Sequence, residues 1–337
     1  MARRPTILDV ARHAGVSKST VSLVLQKSPQ IRPETAEVVR RAIEATGYVY
    51  NRAAANLRSS STGLIGLIIN DLRNPFFTEF AASFQTALFA RGFATVISDS
   101  GEDAGRQDRI VQSMIEHGVA AMVISPAYGD TDTSFARIER AGIPTLQVLR
   151  QVFADTGTVP FSSFDYAEGS AQAARHLIQT GSRRIAFVGG LEGRPITAER
   201  MRGYVEETAR AGMTPLTLFG RPSRLSGAEL AGRLLDDHPD VDAAICFNDL
   251  TALGMMTEFT RRDIRPGRDF RLVGFDAIEE SAQVWPPLSS VACDIGRFAT
   301  DTAAALLSWL DGGTPPAPVR RQPVDLIVRA SSAPRHD

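Results

Sequence analysis

From residue 64 onward, short apolar runs alternate with amphipathic stretches of helical length, and this alternation constrains the fold more than any other feature. The runs lack polar interruptions, so they indicate strands buried on both faces, and helical crossovers make such a sheet parallel. We predict strands at 64–69, 93–98, 120–124, 145–149, 184–188, 243–247 and 272–274. We predict helices at about 75–91, 104–117, 131–141, 166–180, 196–211, 226–237, 249–262 and 295–311. The pattern therefore predicts a doubly wound α/β body over residues 63–337.

A body of roughly 270 residues exceeds the usual size of one hydrophobic core, so two lobes are predicted. The segment 150–165 contains Gly, Pro and Ser and is a suitable first crossover between lobes. A second crossover is predicted near 289–294, and a third before a last strand at 324–328. The predicted lobes comprise about 63–162 with 293–323, and about 163–292 with 324–337.

Polar side chains follow several of the predicted strands. In open α/β sheets, ligands bind at the carboxyl ends of the strands, although each such residue alone also suits a helix N-cap. Carboxylate, amide and guanidinium groups that face one cavity can bind hydroxyl groups in a bidentate manner, as recognition of a sugar requires. Phe76 and Phe77 fit either an apolar wall of this cavity or the core face of a helix. The strand-end candidates are Asn70, Asp71, Asp99, Ser100, Ser125, Arg150, Asn248, Asp249 and Asp276.

The charge of the chain is unevenly distributed. The first sixty residues carry ten Lys or Arg against four Asp or Glu, a net charge of +6, whereas the whole chain has a net charge of −1. The rest of the chain therefore has a net charge of −7. This asymmetry indicates that only the N-terminal part meets a polyanion. The alternative is an unevenly charged surface without such a partner.

Residues 6–26 predict two short helices around a tight turn. Gly15 can adopt the positive φ that the turn requires, and Ser17 stands where an N-cap belongs. The first helix is expected to bury Leu8, Ala11 and Ala14, and the second to bury Val21, Val24 and Leu25. A third helix at about 34–46, between Pro33 and Gly47, is expected to add Val38, Val39, Ala42 and Ile43.

Two helices joined in this way form a helix-turn-helix unit, whose second helix enters the major groove of DNA. Small hydroxyls suit phosphate contacts, and Lys18, Ser19 and Gln26 are expected to reach base edges. The alternative is a plain helical bundle. The predicted DNA contacts within this unit are Thr6, Ser17, Lys18, Ser19, Thr20, Ser22, Leu23 and Gln26.

The chain resembles the lactose-repressor (LacI/GalR-type) transcriptional regulators over nearly its whole length. The similarity is densest in the stretches Ile7-Leu8-Asp9-Val10-Ala11, Gly15-Val16-Ser17, Asn74-Pro75-Phe76-Phe77, Arg200-Met201-Arg202-Gly203-Tyr204, Asn248-Asp249 and Val273-Gly274-Phe275-Asp276. The resemblance implies a periplasmic-binding-protein-like body, no cofactor, and a cytoplasmic homodimer bound to double-stranded DNA at an inverted-repeat operator. It also places Arg200, Asn248 and Asp276 at a sugar-like effector, with Phe76 and Phe77 on the opposite lobe and Arg194 as a weaker match.

Four positions depart from the family pattern. Leu23 stands where the family usually has Arg, and Gln26 where Asn is frequent. Leu149 replaces a common Asp before Arg150, and Pro222 lies near the expected place of an aromatic platform. Neither the operator sequence nor the identity of the effector is therefore carried over from the family.

The segment 51–58 is rich in alanine, which favours a helix, but eight residues are too few for a stable isolated helix. In the family, a hinge helix forms here on the operator and inserts a leucine into the minor groove; Leu57 matches this leucine, and Asn51 begins the segment. The alternative is a helical linker with Leu57 packed on its own domain. The predicted domains are thus 1–50 for DNA binding, 51–62 for the hinge and 63–337 for the effector.

Two other classes of protein compete with a regulator. For an enzyme, the stretch Gly189–Gly193 matches neither dinucleotide nor P-loop patterns, and the five histidines lack metal-ligand spacing. The carboxylates Asp71 and Asp276 are the pair that a glycosidase would need. For a secreted solute receptor, the N-terminus lacks an apolar leader, and no apolar run is long enough to span a membrane. Cys246 and Cys293 predict neither a disulfide framework nor a zinc site.

Replacing Leu57 with alanine tests the predicted minor-groove contact. Because an inserted side chain bends one particular DNA sequence, Leu57→Ala should weaken binding to a selected operator by about tenfold or more, with little effect on random DNA. Fluorescence anisotropy with both DNAs measures the difference. An equal loss on both DNAs would exclude this role.

Overall fold

The computed structural model of the protein describes residues 4–25, 28–49, 63–129 and 132–333. The chain divides into two compact units, Met1–Thr62 and Gly63–Asp337. The predicted hinge helix and the predicted DNA contacts Gln26, Asn51 and Leu57 lie outside the described residues. No helix among the described ranges is both long and apolar enough to cross a membrane.

The N-terminal unit contains three helices, α1 (Ile7–Ala14), α2 (Lys18–Leu25) and α3 (Pro33–Thr46). Asp9 accepts hydrogen bonds from the backbone N–H and the hydroxyl of Thr6 at 2.8 and 2.7 Å, which fixes the start of α1. Gly15 ends α1 at a φ of 68°, as the predicted turn requires. The helices enclose a small core of Val10, Ala11, Val21, Val24, Val39 and Ala42.

Two predicted core residues of this unit are wrong. The side chains of Leu8 and Val38 are 56% and 49% exposed. In α1, the buried positions Val10 and Ala11 continue a face that begins at Ile7, and Leu8 lies about 100° away from Ile7 around the helix. In α3, Val39 lies on the buried face, so the adjacent Val38 is directed away from the core in the same way.

The second unit contains twelve strands and nine helices among its described residues. The strands are β1 (Leu64–Ile69), β2 (Ala94–Asp99), β3 (Ala121–Ile124), β4 (Thr145–Val148), β5 (Phe161–Phe164), β6 (Ile185–Val188), β7 (Leu216–Leu218), β8 (Ala243–Cys246), β9 (Arg271–Asp276), β10 (Ser289–Ala292), β11 (Val319–Gln322) and β12 (Asp325–Ile327). The helices are α4 (Pro75–Phe89), α5 (Ala104–Glu116), α6 (Asp132–Ala141), α7 (Tyr166–Gln179), α8 (Pro195–Arg210), α9 (Arg224–Asp237), α10 (Asp249–Arg261), α11 (Glu279–Gln283) and α12 (Ile295–Leu310).

These strands form two six-stranded sheets, one in each lobe. Lobe 1 has the order β11-β5-β4-β3-β1-β2, and all of its strand pairs are parallel. Lobe 2 has the order β12-β10-β9-β8-β6-β7, in which only β12 runs antiparallel to its neighbour. The two-lobed, doubly wound α/β body is therefore confirmed.

The chain passes between the lobes three times. The passages lie between β5 and α7, between β10 and α12, and between β11 and β12, since α7 packs on lobe 2 and α12 packs on α4 of lobe 1. Each passage is only a few residues long, so three short connections join the lobes.

Four of the observed strands, β5, β7, β10 and β11, were not predicted from the sequence. β5 reads Phe-Ser-Ser-Phe, and β11 reads Val-Arg-Arg-Gln, whose first three residues are exposed at the sheet edge. Neither strand has the apolar run that marks the central strands. They are strands because β11 pairs with β5, and β5 in turn pairs with β4.

Glycine allows two helix pairs in lobe 2 to pack with their backbones in contact. A Cβ at Gly203 in α8 would lie 2.0 Å from the carbonyl oxygen of Ala167 in α7. A Cβ at Gly254 in α10 would lie 2.0 Å from the carbonyl oxygen of Arg224 in α9. Since backbone atoms cannot yield as side chains do, any side chain at these positions forces the helices apart.

A pair of glycine substitutions tests this close packing. Gly203→Ala should lower the free energy of unfolding by about 1–3 kcal/mol, because its methyl group overlaps the neighbouring helix. Gly232→Ala, also within a helix, meets only the flexible ends of two side chains, Arg262 at 3.3 Å and Glu258 at 3.8 Å, and should leave stability unchanged or raise it by about 0.5–1 kcal/mol. Urea unfolding measures both. A destabilisation of similar size in the two variants would contradict the steric explanation.

Candidate functional site

A cavity of about 540 Å³ lies between the lobes. Its walls come from loops at the carboxyl ends of the strands, because both parallel sheets direct these ends toward each other. Loops after β1, β2, β3 and β4 contribute from lobe 1, and loops after β6, β7, β8 and β9 contribute from lobe 2. The volume suits a small ligand that contacts both lobes at once.

Nine of the ten predicted effector contacts line this cavity. They are Asn70, Asp71, Phe76, Phe77, Arg150, Arg194, Arg200, Asn248 and Asp276. The tenth, Ser125, is fully buried and does not line it. Its hydroxyl donates to Asn70 Oδ1, and its carbonyl oxygen accepts from Asn70 Nδ2 at 3.0 Å, so Ser125 orients the amide that does line the cavity.

Arg200 is the central cation of the cavity and is only 5% exposed. Its guanidinium donates to the carbonyl oxygen of Phe247 at 2.5 Å and to Asp276 Oδ1 at 2.9 Å. The rings of Tyr166 and Phe275 each lie 4.4 Å from the guanidinium carbon, which adds cation–π attraction. These contacts hold the Arg200 side chain in one position before any ligand binds.

Asp276 ends β9 with a backbone conformation that is rare for a residue with a side chain. Its φ is 103°, and that of the following Ala277 is 55°. Such conformations persist only when the surroundings enforce them, and here they turn the carboxylate toward Arg200. Burial raises the pKa of Asp276, while the charge of Arg200 opposes this shift.

A second ion pair lies on lobe 1. Arg150 donates to both carboxylate oxygens of Glu102 at 2.7 and 2.8 Å, and its guanidinium lies 4.2 Å from the centre of the Tyr128 ring. The Arg194 guanidinium, from lobe 2, lies 4.7 Å from the same ring. Tyr128 therefore contacts one arginine from each lobe and connects the two walls of the cavity.

Several lining residues were not predicted from the sequence, notably Glu102, Tyr128 and Arg221. Glu102 follows Asp99-Ser100 at the end of β2. The expectation that ligands bind at the carboxyl ends of strands, which selected Asp99 and Ser100, therefore also indicates Glu102. Tyr128 and Arg221 lie in irregular loops and carry no periodic signal. Pro222 lines the cavity at the place where the family resemblance suggested an aromatic platform.

Three residues that the sequence assigned either to local structure or to the cavity have both positions in the structure. Asn248 Oδ1 accepts from the backbone N–H of Thr251 at 3.0 Å, so Asn248 caps α10 and also lines the cavity. Phe76 and Phe77 are 3% and 7% exposed, and their rings meet edge to face at 5.4 Å. They belong to the core of lobe 1 and also form part of the cavity wall.

In the N-terminal unit, the predicted DNA contacts on α2 differ in their exposure to solvent. Lys18 and Ser19 are exposed, whereas Ser22 and Leu23 are half-buried. Ser17 Oγ accepts from the backbone N–H of Thr20 at 3.1 Å, so the predicted N-cap is confirmed. The hydroxyl of Thr6 donates to Asp9, and it thus stabilises α1.

The comparisons with known proteins agree with these two units. The family model described as bacterial regulatory proteins, lacI family, matches residues 6–51, and the model described as periplasmic binding proteins and sugar binding domain of LacI family matches residues 62–291. The HTH-type transcriptional regulator CelR of Thermobifida fusca is 31% identical over 97% of this chain and 96% of its own length. This chain belongs to the LacI family.

Two solved structures are similar over almost the whole chain. A lac repressor dimer bound to operator and the anti-inducer ONPF covers 98% of this chain and 99% of its own, with a TM-score of 0.86 and 25% identity. A complex of the transcriptional regulator CelR with cellobiose covers 97% of this chain and 100% of its own, with a TM-score of 0.72 and 30% identity. The chain is thus a transcriptional regulator and not an enzyme.

Asp249, the first residue of α10 in this LacI-family chain, is a fully buried carboxyl group. It accepts from the hydroxyl of Ser290 at 2.6 Å and from the backbone N–H of Ile278 at 2.8 Å. Burial, together with the nearby charge of Asp276, raises the pKa of Asp249 to about 8. In the unfolded chain the same group has a pKa near 4, so between these pH values only the folded chain binds the proton.

The shifted pKa of Asp249 predicts a pH-dependent stability. Unfolding releases this proton between about pH 4 and 8, so the folded state loses stability as pH rises through that window, by at most about 1.4 kcal/mol per pH unit. Asp249→Asn should remove this dependence, whereas Asp325→Asn, at an exposed carboxylate, should retain it. Urea unfolding at several pH values measures the difference from wild type. Parallel profiles for wild type and Asp249→Asn would contradict the shift.

Proposed function

We propose that this chain is a transcriptional repressor whose affinity for operator DNA is controlled by a small effector bound between the lobes. The effector is a sugar or sugar derivative. The repressor acts in the cytoplasm as a homodimer on an inverted-repeat operator. The observation that carries the proposal is a cavity whose polar lining comes from both lobes of a body that follows a helix-turn-helix unit.

The DNA part of the proposal rests on α2. Its N-terminal end carries Lys18 and Ser19 as exposed groups, and helix N-termini and hydroxyls are suited to phosphate contacts. Leu23 is an apolar residue on this helix and suits a thymine methyl group, in place of a guanine read by arginine. Two such helices in a dimer would bind half-sites one helical turn apart.

The effector part rests on the paired polar groups of the cavity. Asp71 from lobe 1, and Asn248 and the Arg200–Asp276 pair from lobe 2, supply carboxylate, amide and guanidinium groups to one cavity. Hydroxyl groups both donate and accept, so a sugar satisfies such a mixed set, while the rings of Phe77 and Tyr166 cover its apolar faces. CelR, a similar protein, was solved with cellobiose.

Control of DNA binding requires that the effector favours one arrangement of the lobes. Two contacts cross the cleft and would respond to a change in lobe angle. Arg194 of lobe 2 stacks on Tyr128 of lobe 1, and Arg321 on β11 forms an ion pair with Glu199 on α8. A coupling of about 1–3 kcal/mol between effector and operator is typical, and it acts equally in both directions.

The proposal is tested with full-length protein and DNA selected from a random-sequence library. Wild type should enrich an inverted repeat, and a saturating sugar from a panel of mono- and disaccharides and their acidic derivatives should change its affinity by about fivefold or more. Asp71→Asn should bind the selected DNA normally and bind the sugar about tenfold more weakly, because one charged hydrogen-bond acceptor is lost. Asp311→Asn, at an exposed helix end, is the matched control.

Fluorescence anisotropy reports DNA binding, and isothermal titration calorimetry reports sugar binding. If no DNA sequence is enriched over random competitor, the regulator proposal is wrong. If the sugar binds but leaves DNA affinity unchanged at saturation, control by the cavity is wrong. Sugar turnover that depends on the carboxylates Asp71 and Asp276 would contradict the proposal.

A further inference from the structure

The cavity lining contains more cations than anions. Five arginines and three carboxylates line it. The carboxylates each pair with one arginine, as Arg73–Asp71, Arg150–Glu102 and Arg200–Asp276. The two remaining arginines, Arg194 and Arg221, make no ion pair with a carboxylate of the described residues. The described lining therefore carries two positive charges that the protein does not neutralise.

Both of these arginines belong to lobe 2, and the loops that carry them are joined. The loop after β6 leads to Arg194, and the loop after β7 carries Arg221. The backbone N–H of Gly220 donates to the carbonyl oxygen of Gly190 at 3.0 Å, so the two loops run side by side. This hydrogen bond fixes the origin of both side chains on one wall of the cavity.

Glycine is required where these loops meet. Gly190 has a φ of 80°, and a Cβ there would lie 2.7 Å from the ring of Phe247 and 2.8 Å from the side chain of Thr197. The glycine-rich stretch Gly189–Gly193, which matched no phosphate-binding motif by sequence, is therefore a tight turn that delivers Arg194 to the cavity.

Arg194 also occupies the N-cap position of α8, a helix of sixteen residues. Its side chain does not cap the helix but lies over Tyr128, with the guanidinium 4.7 Å from the ring centre. Stacking uses the face of the guanidinium and leaves its N–H groups at the edge available to a ligand. The N-terminus of α8 adds a positive partial charge at the same point.

We propose that the effector carries a negatively charged group, a carboxylate or a phosphate, on a hydroxylated frame, and that Arg194 and Arg221 bind this group. The inference rests on the proposed function of the cavity as the effector site, and it names the chemical class of the effector. A neutral sugar would leave the charge of both arginines uncompensated, whereas an anion forms charge-assisted hydrogen bonds with both. The carboxylate-bearing pairs elsewhere in the cavity bind the hydroxyls.

Inorganic phosphate is the probe for the charged subsite alone. Isothermal titration calorimetry of the full-length protein should show phosphate binding that weakens with added chloride, as expected for an ionic contact. Arg194→Gln and Arg221→Gln should each reduce the affinity by about tenfold. Arg202→Gln, on the same helix but outside the cavity, should bind as wild type does. No measurable phosphate binding, or equal losses in all three variants, would overturn the proposal.

Matched sugars then test the complete ligand. Thermal unfolding is measured with glucose, glucuronate and glucose 6-phosphate, and with the corresponding three forms of galactose. At least one charged form should raise the Tm of wild type and Arg202→Gln more than its neutral parent does, and the difference should disappear in Arg221→Gln. The stronger of the two charged forms distinguishes a sugar acid from a sugar phosphate. Neutral parents that stabilise all variants equally or better would overturn the proposal.

The two proposals fail in different ways. If a neutral sugar changes DNA affinity and no charged form binds, the regulator function stands and the charged effector is wrong. If a charged form binds through Arg194 and Arg221 but DNA affinity is unchanged at saturation, the charged ligand stands and its role as an effector is wrong. Because Arg221 is exposed, Arg221→Gln also separates loss of binding from loss of folding.

Discussion

The buried ion pair between Arg200 and Asp276 is the interaction on which the organisation of the cavity depends. Two charges at about 5% exposure have lost most of their hydration, so each depends on the other and on the surrounding hydrogen bonds. Removing either partner from such a pair typically costs about 3–5 kcal/mol, because the remaining charge stays buried. The pair also fixes the ends of β8 and β9, since Arg200 binds the carbonyl oxygen of Phe247 as well as Asp276.

The rest of the site is arranged around this pair by the topology of the body. Parallel strands bring their carboxyl ends to one edge, and the two sheets present these edges to each other across the cavity. Helix N-termini arrive at the same place, so capping residues such as Asn74, Ser223 and Asn248 also line the cavity. The same side chains therefore cap helices and line the cavity.

Two polar contacts join the lobes across the cleft, the Arg194–Tyr128 stack and the Arg321–Glu199 ion pair. Polar contacts of this kind are readily replaced by contacts with a ligand, because water and ligand hydroxyls supply the hydrogen bonds that the lobes lose. A charged effector at Arg194 would act on one of these contacts directly.

The amino-acid sequence by itself determined the central strands, the helix-turn-helix unit and nine of the lining residues, because buried parallel strands, caps and turns leave local patterns in the chain. It did not determine β5 or β11, whose polar sequences become strands only through pairing. Nor did it reveal that Ser125 supports Asn70, or that Tyr128 meets arginines from both lobes. These features depend on residues far apart in sequence, and only the tertiary structure decides which of them meet.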